Sequence, residues 1–468
     1  MMRLKFLVAL FGIGLMTSCH TSKTDFDIRN YGAKGDSITD NAEAIQEAID
    51  DCNKSGGGRV IIPGDGVYMT GPITVASYVD LHLEANAKLL ANPDEKVYNK
   101  SAFRDNKGEG MMWISGTNIV QFSISGKGKI DGNGVAFMGK ELEDSYELKP
   151  VHEFDPRPHV LTLINGKDIR IKDVIIGNSA YWTVHLVGCN DVVVDGVSIL
   201  NNLKIRNGDG IDVDHSKNVR ISNCFIESGD DCICLKNRRE YQDLGPCENI
   251  LVTNCTMTSR SCAIKIGSEN MDRISHVVVN NCIIRDSNRG IGIQNRDEGT
   301  VENVIFSNIE VDCKLFSNVW WGKSEAIYVT AYTRKAGDHK DAGWRFPKGM
   351  ADYEVGAVTD ISFNNIKCES ENGVFLGAEA KDKIQNIYFD QVDLMICKRT
   401  NYEGGIYDKR PCKGDEFVKG KTYGFYLDNA SNVNIRNSTV RWGDTRPSYF
   451  ADTMFSQNID GLQTVNLK

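Results

Sequence analysis

Two short acidic motifs contain the residues whose types and spacing best suit chemistry. The motif NGDGID spans residues 207–212 and the motif GDDC spans residues 229–232, so that Asp209 and Asp230 lie 21 positions apart. Crowded carboxylates repel one another, which raises one pKa and leaves a protonated acid beside ionised bases. Hydrolysis of a glycosidic bond needs that combination, because an acid protonates the leaving oxygen while a carboxylate activates water. Asp209, Asp230 and Asp231 are therefore the candidate catalytic residues.

The same motifs have a plainer interpretation. Aspartates are common at turns, where their side chains bond nearby amides. Three clustered carboxylates also suit a calcium site built from oxygen ligands. Asp212 and Asp214 fit turns or supporting contacts equally well. Catalysis is favoured because the two motifs lie about one structural repeat apart.

That repeat is a sequence pattern found along most of the chain. It consists of a polar residue, Asn or Asp, an apolar residue, any residue, an apolar residue, a polar pair and a last apolar residue. Copies begin at Lys167, Asn190, Lys217, Glu248, Glu302, Thr359 and Ser431, with looser copies at Ser275 and Gln385. Neighbouring copies are mostly 23 to 31 residues apart, and the wider intervals are close to double that.

Each copy alternates apolar and polar residues with period two, which predicts a short strand with one face toward a core. Short strands at a near-constant interval indicate one coil per copy, and stacked coils form an all-β parallel β-helix. Asp209 and Asp230 should then lie on neighbouring coils, roughly 5 Å apart along the stack. The repeat lacks the leucine spacing of a horseshoe, and few hairpin signals favour a sandwich.

An N-terminal helix should cap the first coil of the stack. Residues 40–43 have a capping-box arrangement, and Ala42, Ile45, Ala48 and Ile49 follow at helical spacing. Segments without the repeat are rich in charge and aromatics, and we expect them to form long loops that wall a cleft. They are residues 93–112, 136–158, 333–356 and 398–421.

The cysteines suit packing better than metal binding. Cys224, Cys255 and Cys282 each follow an asparagine at the same point of the repeat, which predicts a buried ladder. Cys232 and Cys234 form the one close pair, and a zinc site would want more such clusters. We expect these two to pack in the core, and we expect neither a metal nor a cofactor.

The N-terminus has the features of an export signal. Arg3 and Lys5 precede an apolar run over residues 6–16, which is too short to span a bilayer, and Cys19 follows small residues. We expect a lipoprotein signal over residues 1–19, with lipid attached to Cys19, ahead of one domain over residues 24–468. The alternative is a plain signal peptide with an incidental cysteine. The protein would work in the cell envelope, in the periplasm or at the outer membrane surface, and touch membrane only through its lipid.

The net charge restricts the partners. A formal charge of −9 argues against nucleic acid, because such proteins need a basic stripe that releases counterions. An anionic sugar polymer remains compatible, since a local basic cleft can lie on an acidic body.

Several segments together resemble the glycoside hydrolase family 28 polygalacturonases. They are FDIRNYGAKGD at residues 26–36, TDNAEAIQEAI at 39–49, GGGRVIIPGDGVYMTGPITV at 56–75, and the NGDGID and GDDCICLK motifs. The resemblance implies a single-stranded, right-handed parallel β-helix of the pectin-lyase-like type. It also implies cleavage of pectic galacturonan or rhamnogalacturonan with inversion and without a metal. Asp230 would be the general acid, and Asp209 and Asp231 would hold the attacking water.

The chain departs from the family pattern at two places. A Gly-His-Gly of the family reads Ser261-Cys262-Ala263 here, and its Arg-Ile-Lys, which grips a substrate carboxylate, corresponds to GIGIQ at residues 290–294. The second departure favours a branched or rhamnose-containing pectin over plain homogalacturonan.

Other residues are candidates for contacts with the substrate. Lys236, Lys265, Arg289 and Arg296 could bind its carboxylates, since arginine pairs with such groups through two hydrogen bonds. Each is equally consistent with a solvated turn residue. His185, one coil before Asp209, is a candidate cleft residue or a hydrogen-bonded packing histidine.

Two other functions stay open at this stage. A pectate-lyase-like eliminase shares the β-helix but needs calcium and a basic residue. A non-catalytic surface protein could bind glycan without using its acidic cluster. For any of the three we expect a pectic poly- or oligosaccharide as the partner and a monomer in solution.

Overall fold

A computed structural model gives the structure of much of the chain. It describes residues 24–104, 108–143, 147–151, 156–334 and 353–468. The expected signal at residues 1–19, with Cys19, lies outside the described residues and stays a prediction. None of the helices in the described ranges has the length and apolar character needed to cross a bilayer.

One sheet of 33 strands winds through the described residues in three rows of parallel strands. Row 1 consists of Ile73–Thr74, Met111–Thr117, Pro158–Ile164, Val184–Val187, Ile211–Asp214, Ile233–Asn237, Cys262–Asn270, Arg289–Asn295, Ile327–Ala331, Val374–Ala378, the start of Phe425–Arg436, and Met454–Asp460. Row 2 consists of Asp25–Asp27, Gly58–Ile62, Val79–Leu83, Val120–Gly126, Lys167–Lys172, Asn190–Asp195, Lys217–Ser222, Cys247–Thr253, the first halves of Ile274–Ser287, Val301–Cys313, Val358–Ser370 and Ile384–Ile396, the end of Phe425–Arg436, and Gln463–Val465.

Row 3 is formed by shorter strands and by the ends of the long ones. It consists of Val67–Thr70, Lys88–Ala91, Lys129–Asp131, Ile175–Gly177, Ser198–Leu200, Phe225–Ser228, Thr256–Ser259, the second halves of the four long row 2 strands from Ile274 to Ile396, and Thr439–Trp442. One strand from each row makes a coil, so the predicted parallel β-helix is confirmed.

The copies of the sequence repeat all lie on row 2. Their registers align the apolar positions of successive coils, as in Ile169 opposite Val192, and Val192 opposite Val219. These side chains are fully buried. The period-two pattern therefore identified the strands because one face of each is turned into a shared core.

Asparagines at the turns form ladders between coils. Asn218 and Asn249 have φ of 54° and 61°, in the left-handed region that Asn tolerates better than most residues. The side-chain amide of Asn249 donates to Asn218 Oδ1 at 3.2 Å, and that of Asn218 donates to Asn190 Oδ1 at 2.8 Å. These bonds align successive turns and satisfy side chains at the edge of the core.

A single apolar core extends along the stack from Phe26 to Phe450. Phe306, Phe363 and Phe389 stack in it with ring centroids 5.1 and 5.0 Å apart. Such ladders arise because equivalent positions recur on every coil.

The cysteine ladder is confirmed as buried packing. Cys224, Cys255 and Cys282 are unpaired thiols with little exposure, and no disulfide joins cysteines in the described part of the chain. Cys232 belongs to the core as expected. Cys234 differs: its row 1 position lies opposite Asp212 and Lys265, so it is buried on the outer side of the strand.

A helix caps the first coil, as the sequence predicted. It spans Ala42–Lys54 and buries Ile45, Ala48, Ile49 and Cys52 against the first strands. The Asp40 carboxylate accepts the Ala42 N–H at 2.9 Å, which satisfies one of the unpaired amides at the start of the helix.

The predicted loops contain short ordered elements in their described parts. Two antiparallel hairpins leave the stack: Met138–Glu141 with Leu148–Pro150, and Ile406–Asp408 with Phe417–Lys419. Short 3-10 helices form in or beside these loops at Glu95–Val97 and Gly134–Phe137, and elsewhere at Ile28–Tyr31 and Arg239–Leu244. Most of the predicted loop at 333–356 lies outside the described residues.

Candidate active site

Two adjacent turns before row 1 strands bring the acidic motifs together. Asp209 precedes Ile211–Asp214, while Asp230 and Asp231 precede Ile233–Asn237, the strand that pairs with it. The Gly210 N–H donates to the Asp231 carbonyl at 2.8 Å and ties the turns together. One oxygen from each of the three carboxylates lies within 4.8 Å of the corresponding oxygens of the other two.

Glycine at position 229 allows this close approach of the backbone. A Cβ there would lie 2.2 Å from the Ile205 carbonyl oxygen, which no side chain tolerates. The glycine that flanks the acidic pair is thus required by the packing of one turn on the next.

The three carboxylates have different partners. Asp231 accepts the Cys262 N–H at 3.2 Å on Oδ1 and the Lys265 ammonium at 2.7 Å on Oδ2. Asp230 accepts the Asn207 N–H at 3.1 Å. The buried Oδ1 of Asp209 has no hydrogen-bond partner among the described residues.

Burial and crowding favour protons on two of these acids. Burial raises the pKa of Asp230 to about 6, and the neighbouring charge of Asp231 adds to the effect. Burial, then the charges of Asp212 and Asp230, raises the pKa of Asp209 well above its usual range. The cluster can therefore supply a protonated acid near neutral pH, as the sequence predicted.

Among the described residues, the same three carboxylates are close enough together to hold a cation, as the calcium alternative requires. Lys265 already places a positive charge 2.7 Å from Asp231 Oδ2. The cluster therefore has a protein counter-ion of its own.

A second lysine–aspartate pair lies beside the cluster. Lys236 Nζ lies 2.6 Å from Asp212 Oδ1 and 3.7 Å from the centre of the Trp182 ring. Burial raises the pKa of Asp212 to about 7, although the Lys236 charge opposes the rise. Lys236 and Lys265 both line the cleft, and each also pairs with an acidic side chain of the protein.

His185 lies beneath the cleft and not in it. It is fully buried, and its Nε2 lies 3.3 Å from Asp214 Oδ2. Its ring packs edge-on against Trp182 at 4.8 Å between centroids. Burial lowers the pKa of His185 to about 4 despite the nearby Asp214 carboxylate, so the ring is neutral at ordinary pH. The position of His185 is that of a hydrogen-bonded packing histidine, the second of the two alternatives given by the sequence.

The two arginines expected to contact substrate are held elsewhere. Arg289 makes a buried ion pair with Glu325, with N–O distances of 3.1 and 3.2 Å. Arg296 is fully buried and donates to the carbonyls of Lys409 and Pro411 at 2.8 and 2.7 Å. Neither residue lines the cleft. The sequence could not reveal this, since Glu325 lies at the start of the next coil and the partners of Arg296 lie on a loop more than 100 residues away in the chain.

The two departures from the family pattern contact each other. The buried Cys262 Sγ lies 3.1 Å from the Ile264 carbonyl oxygen and does not reach the cleft. A Cβ at Gly292 would lie 2.8 Å from that sulfur. A larger residue at position 292 would therefore force the cysteine to move.

Arg157 supports the acidic turns and was missed in the sequence. Its guanidinium donates to the carbonyls of Ala180 and Arg206 at 2.9 and 2.8 Å and to Asn207 Oδ1 at 3.2 Å. It thus holds the turn whose amide binds Asp230. The residue lies in a segment without the repeat, so no local pattern marked it.

The carboxylates open into a cleft of about 300 Å³. Its walls mix aromatic, basic and acidic side chains, most of which carry no signal in the sequence. They are Phe103, Glu109, Tyr181, Trp182, Arg206, Asn207, Asp209, Asp230, Asp231, Lys236, Arg238, Ser261, Lys265, Ser268, Glu269, Trp320 and Trp321. An elongated polar chain with apolar sugar faces suits such a lining.

Known proteins resemble this chain in sequence and in fold. The grapevine (Vitis vinifera) "Probable polygalacturonase" is 30% identical over 285 residues, which cover 57% of this chain and 56% of that protein. The family 28 exopolygalacturonase of Yersinia enterocolitica has a TM-score of 0.69 at 18% identity, over 94% of this chain and 78% of that one. The exopolygalacturonase of Thermotoga maritima gives 0.59 at 18% identity, over 94% and 92% of the two chains. At these identities the structural likeness concerns the fold.

The model of the family described as "Glycosyl hydrolases family 28" matches residues 52–314, which contain both acidic motifs and the strands that position them. The chain belongs to family 28 of the glycosyl hydrolases.

Proposed function

We propose that this protein hydrolyses glycosidic bonds in pectic polysaccharide. The observation that carries the proposal is the set of three carboxylates whose oxygens lie within 4.8 Å of one another at the base of the cleft. Asp230 donates its proton to the leaving oxygen, and Asp209 and Asp231 hold the attacking water. Membership of family 28 supports hydrolysis over elimination and over binding alone.

Inversion at the anomeric carbon is part of the proposal, and its support is the family. Carboxyl groups of inverting enzymes are commonly about 6.5–9.5 Å apart, with room for a water molecule. The nearest oxygens here are closer, so spacing does not argue for inversion. Proton NMR of the first-formed sugar anomer tests it directly. Retention would overturn the single-displacement mechanism and leave hydrolysis standing.

We propose a rhamnose-containing or branched pectin as the substrate, in preference to plain homogalacturonan. The positions of the family Arg-Ile-Lys carry GIGIQ, and Arg289 beside them is paired with Glu325. Trp182, Trp320 and Trp321 instead give the cleft aromatic surface. Rhamnose has a methyl group where galacturonate has a carboxylate, and such a sugar matches an aromatic wall.

Product analysis on separate substrates tests the function. Purified protein is incubated with homogalacturonan, rhamnogalacturonan and complex pectin, and new reducing ends are measured. We expect them with rhamnogalacturonan or complex pectin, and their loss in Asp230→Asn. Ultraviolet-absorbing unsaturated products that vanish with chelator would identify an eliminase. Binding without products, unchanged in Asp230→Asn, would identify a glycan-binding protein.

We further propose export to the cell envelope with a lipid on Cys19, and a monomeric state. Arg3, Lys5 and the apolar run at residues 6–16 support the export signal. Labelled fatty acid should enter the wild-type protein but not Cys19→Ala. Light scattering on the mature protein should give the mass of one chain.

A further inference from the structure

We propose that Lys265 is a positioning residue that holds the Asp231 carboxylate in the orientation it needs as the base of the reaction. This inference rests on the proposed function and deepens it. The resemblance to the family assigns two carboxylates, Asp209 and Asp231, to the attacking water and does not say which of them takes its proton. The contacts of the cluster distinguish them.

Both oxygens of Asp231 are held by a single strand. Within Cys262–Asn270, the Cys262 N–H donates to Oδ1 and the Lys265 ammonium donates to Oδ2, at 3.2 and 2.7 Å. The Asp231 side chain is 2% exposed and that of Lys265 is 17% exposed. Two hydrogen bonds from one rigid element fix the plane of the carboxylate, and partial burial strengthens the charge pair.

The other two acids have no such counter-ion. Within the described ranges, Asp231 is the member of the cluster with a lysine or arginine nitrogen within 4.0 Å. Burial and like charges favour the protonated forms of Asp209 and Asp230. Among the three carboxylates, the geometry therefore singles out Asp231, which has a lysine as its direct partner.

The resulting proton balance is simple. Asp231 takes a proton from water as the water oxygen bonds to the anomeric carbon. The bond from that carbon to the leaving oxygen breaks, and the leaving oxygen takes the proton of Asp230. Solvent then returns a proton to Asp230 and removes one from Asp231.

The pH profile distinguishes this role from a merely structural one. The Lys265 charge lowers the pKa of Asp230, while its ammonium group holds the Asp231 carboxylate by a direct hydrogen bond. Lys265→Met should lower kcat at least about tenfold and move the alkaline limb of the profile, which reports Asp230, upward by about one pH unit or more. Lys265→Arg keeps the charge and should restore most of the wild-type profile.

Lys398→Met is the matched control. Lys398 lies 2.8 Å from Glu371, and the two side chains are 17% and 0% exposed, much like Lys265 and Asp231. We expect Lys398→Met to lower the melting temperature without moving the pH profile. An unmoved profile in Lys265→Met, or an equal movement in both variants, would overturn the proposal.

A readout without turnover separates this inference from the proposed function. Carbon-13 NMR of aspartate-labelled protein follows the carboxyl titration of the cluster, identified by comparison with Asp231→Asn. The midpoints should rise in Lys265→Met but not in Lys398→Met. Titration that is unchanged in Lys265→Met sinks this inference, whereas a wild-type protein inactive on every pectin sinks the proposed function instead.

Discussion

Row 1 of the β-helix lies beneath the cleft along one half, the open half, and beneath an aromatic layer along the other, the closed half. Its outward positions stand in register, first as His185, Asp212, Cys234 and Lys265, and then as Gly292, Tyr328, Phe375 and Tyr426. The first half lies beneath the cleft, and Lys265 at its end lines the cleft directly. In the second half, Tyr328, Phe375, Tyr407 and Tyr426 form a separate buried cluster.

The hairpin Ile406–Asp408 with Phe417–Lys419 covers the closed half. The Tyr328 hydroxyl donates to the Asp408 carbonyl at 2.7 Å, and Arg296 binds the segment between the hairpin strands. Identical backbone geometry thus supports a cleft or a sealed aromatic layer. The loops above a row therefore decide which of its outward side chains border the cleft.

The largest expected effect is on catalysis in the open half. Asp230→Asn removes the proposed acid, and we expect kcat to fall by about 10²- to 10⁴-fold with the fold intact. Steady-state rates and circular dichroism check this. Asp191→Asn, at a left-handed turn that asparagine tolerates, is the control and should retain full activity. Equal rates for Asp230→Asn and wild type would remove the basis of the mechanism.

In the closed half we expect loss of stability instead of activity. Arg289→Met leaves Glu325 buried without its ion-pair partner, which costs about 3–5 kcal/mol. Urea denaturation measures this loss, and kcat of the folded variant should stay near wild type. Exposed Arg285→Met should change stability by about 0.5 kcal/mol or less. A selective rise in KM for Arg289→Met at wild-type stability would restore Arg289 as a substrate contact.

His185, which lies just beneath the cleft, should make the free energy of unfolding depend on pH. Burial lowers the pKa of His185 to about 4, below its usual 6.5, so the unfolded chain takes up a proton that the native ring refuses. The contribution of His185 to the free energy of unfolding is fully present above pH 6.5 and is lost as the pH falls toward 4. His185→Gln should remove up to about 1.4 kcal/mol per pH unit of that slope. Denaturation at several pH values tests this, and an unchanged slope would contradict a buried neutral ring.

The smallest expected effect concerns the aromatic wall. Trp321→Ala removes one stacking surface from the cleft, and we expect KM to rise about two- to tenfold with little change in kcat. Tyr402→Ala removes an exposed aromatic that does not line the cleft and should leave KM unchanged. If both variants behave alike, the tryptophan does not touch substrate.

Much of the fold could be predicted because each coil repeats one local pattern. The copies beginning at Lys167, Asn190 and Lys217 are row 2 strands, and the helix at Ala42–Lys54 follows its apolar spacing. The order within the predicted loop at 136–158 was missed, since a hairpin and the position of Arg157 follow no such period.

For the site, the sequence alone determined that the acids at 209, 230 and 231 meet, because their spacing matches one coil. Tertiary structure alone decided which charges face each other. Lys265 forms an ion pair with Asp231. Arg289 instead pairs with Glu325, and Arg296 donates to loop carbonyls more than 100 residues away in the chain. The length of a coil fixes the register of neighbouring strands, and the repeat in the sequence gives that length. The partner of a long basic side chain depends instead on which buried acceptors other parts of the chain place within its reach.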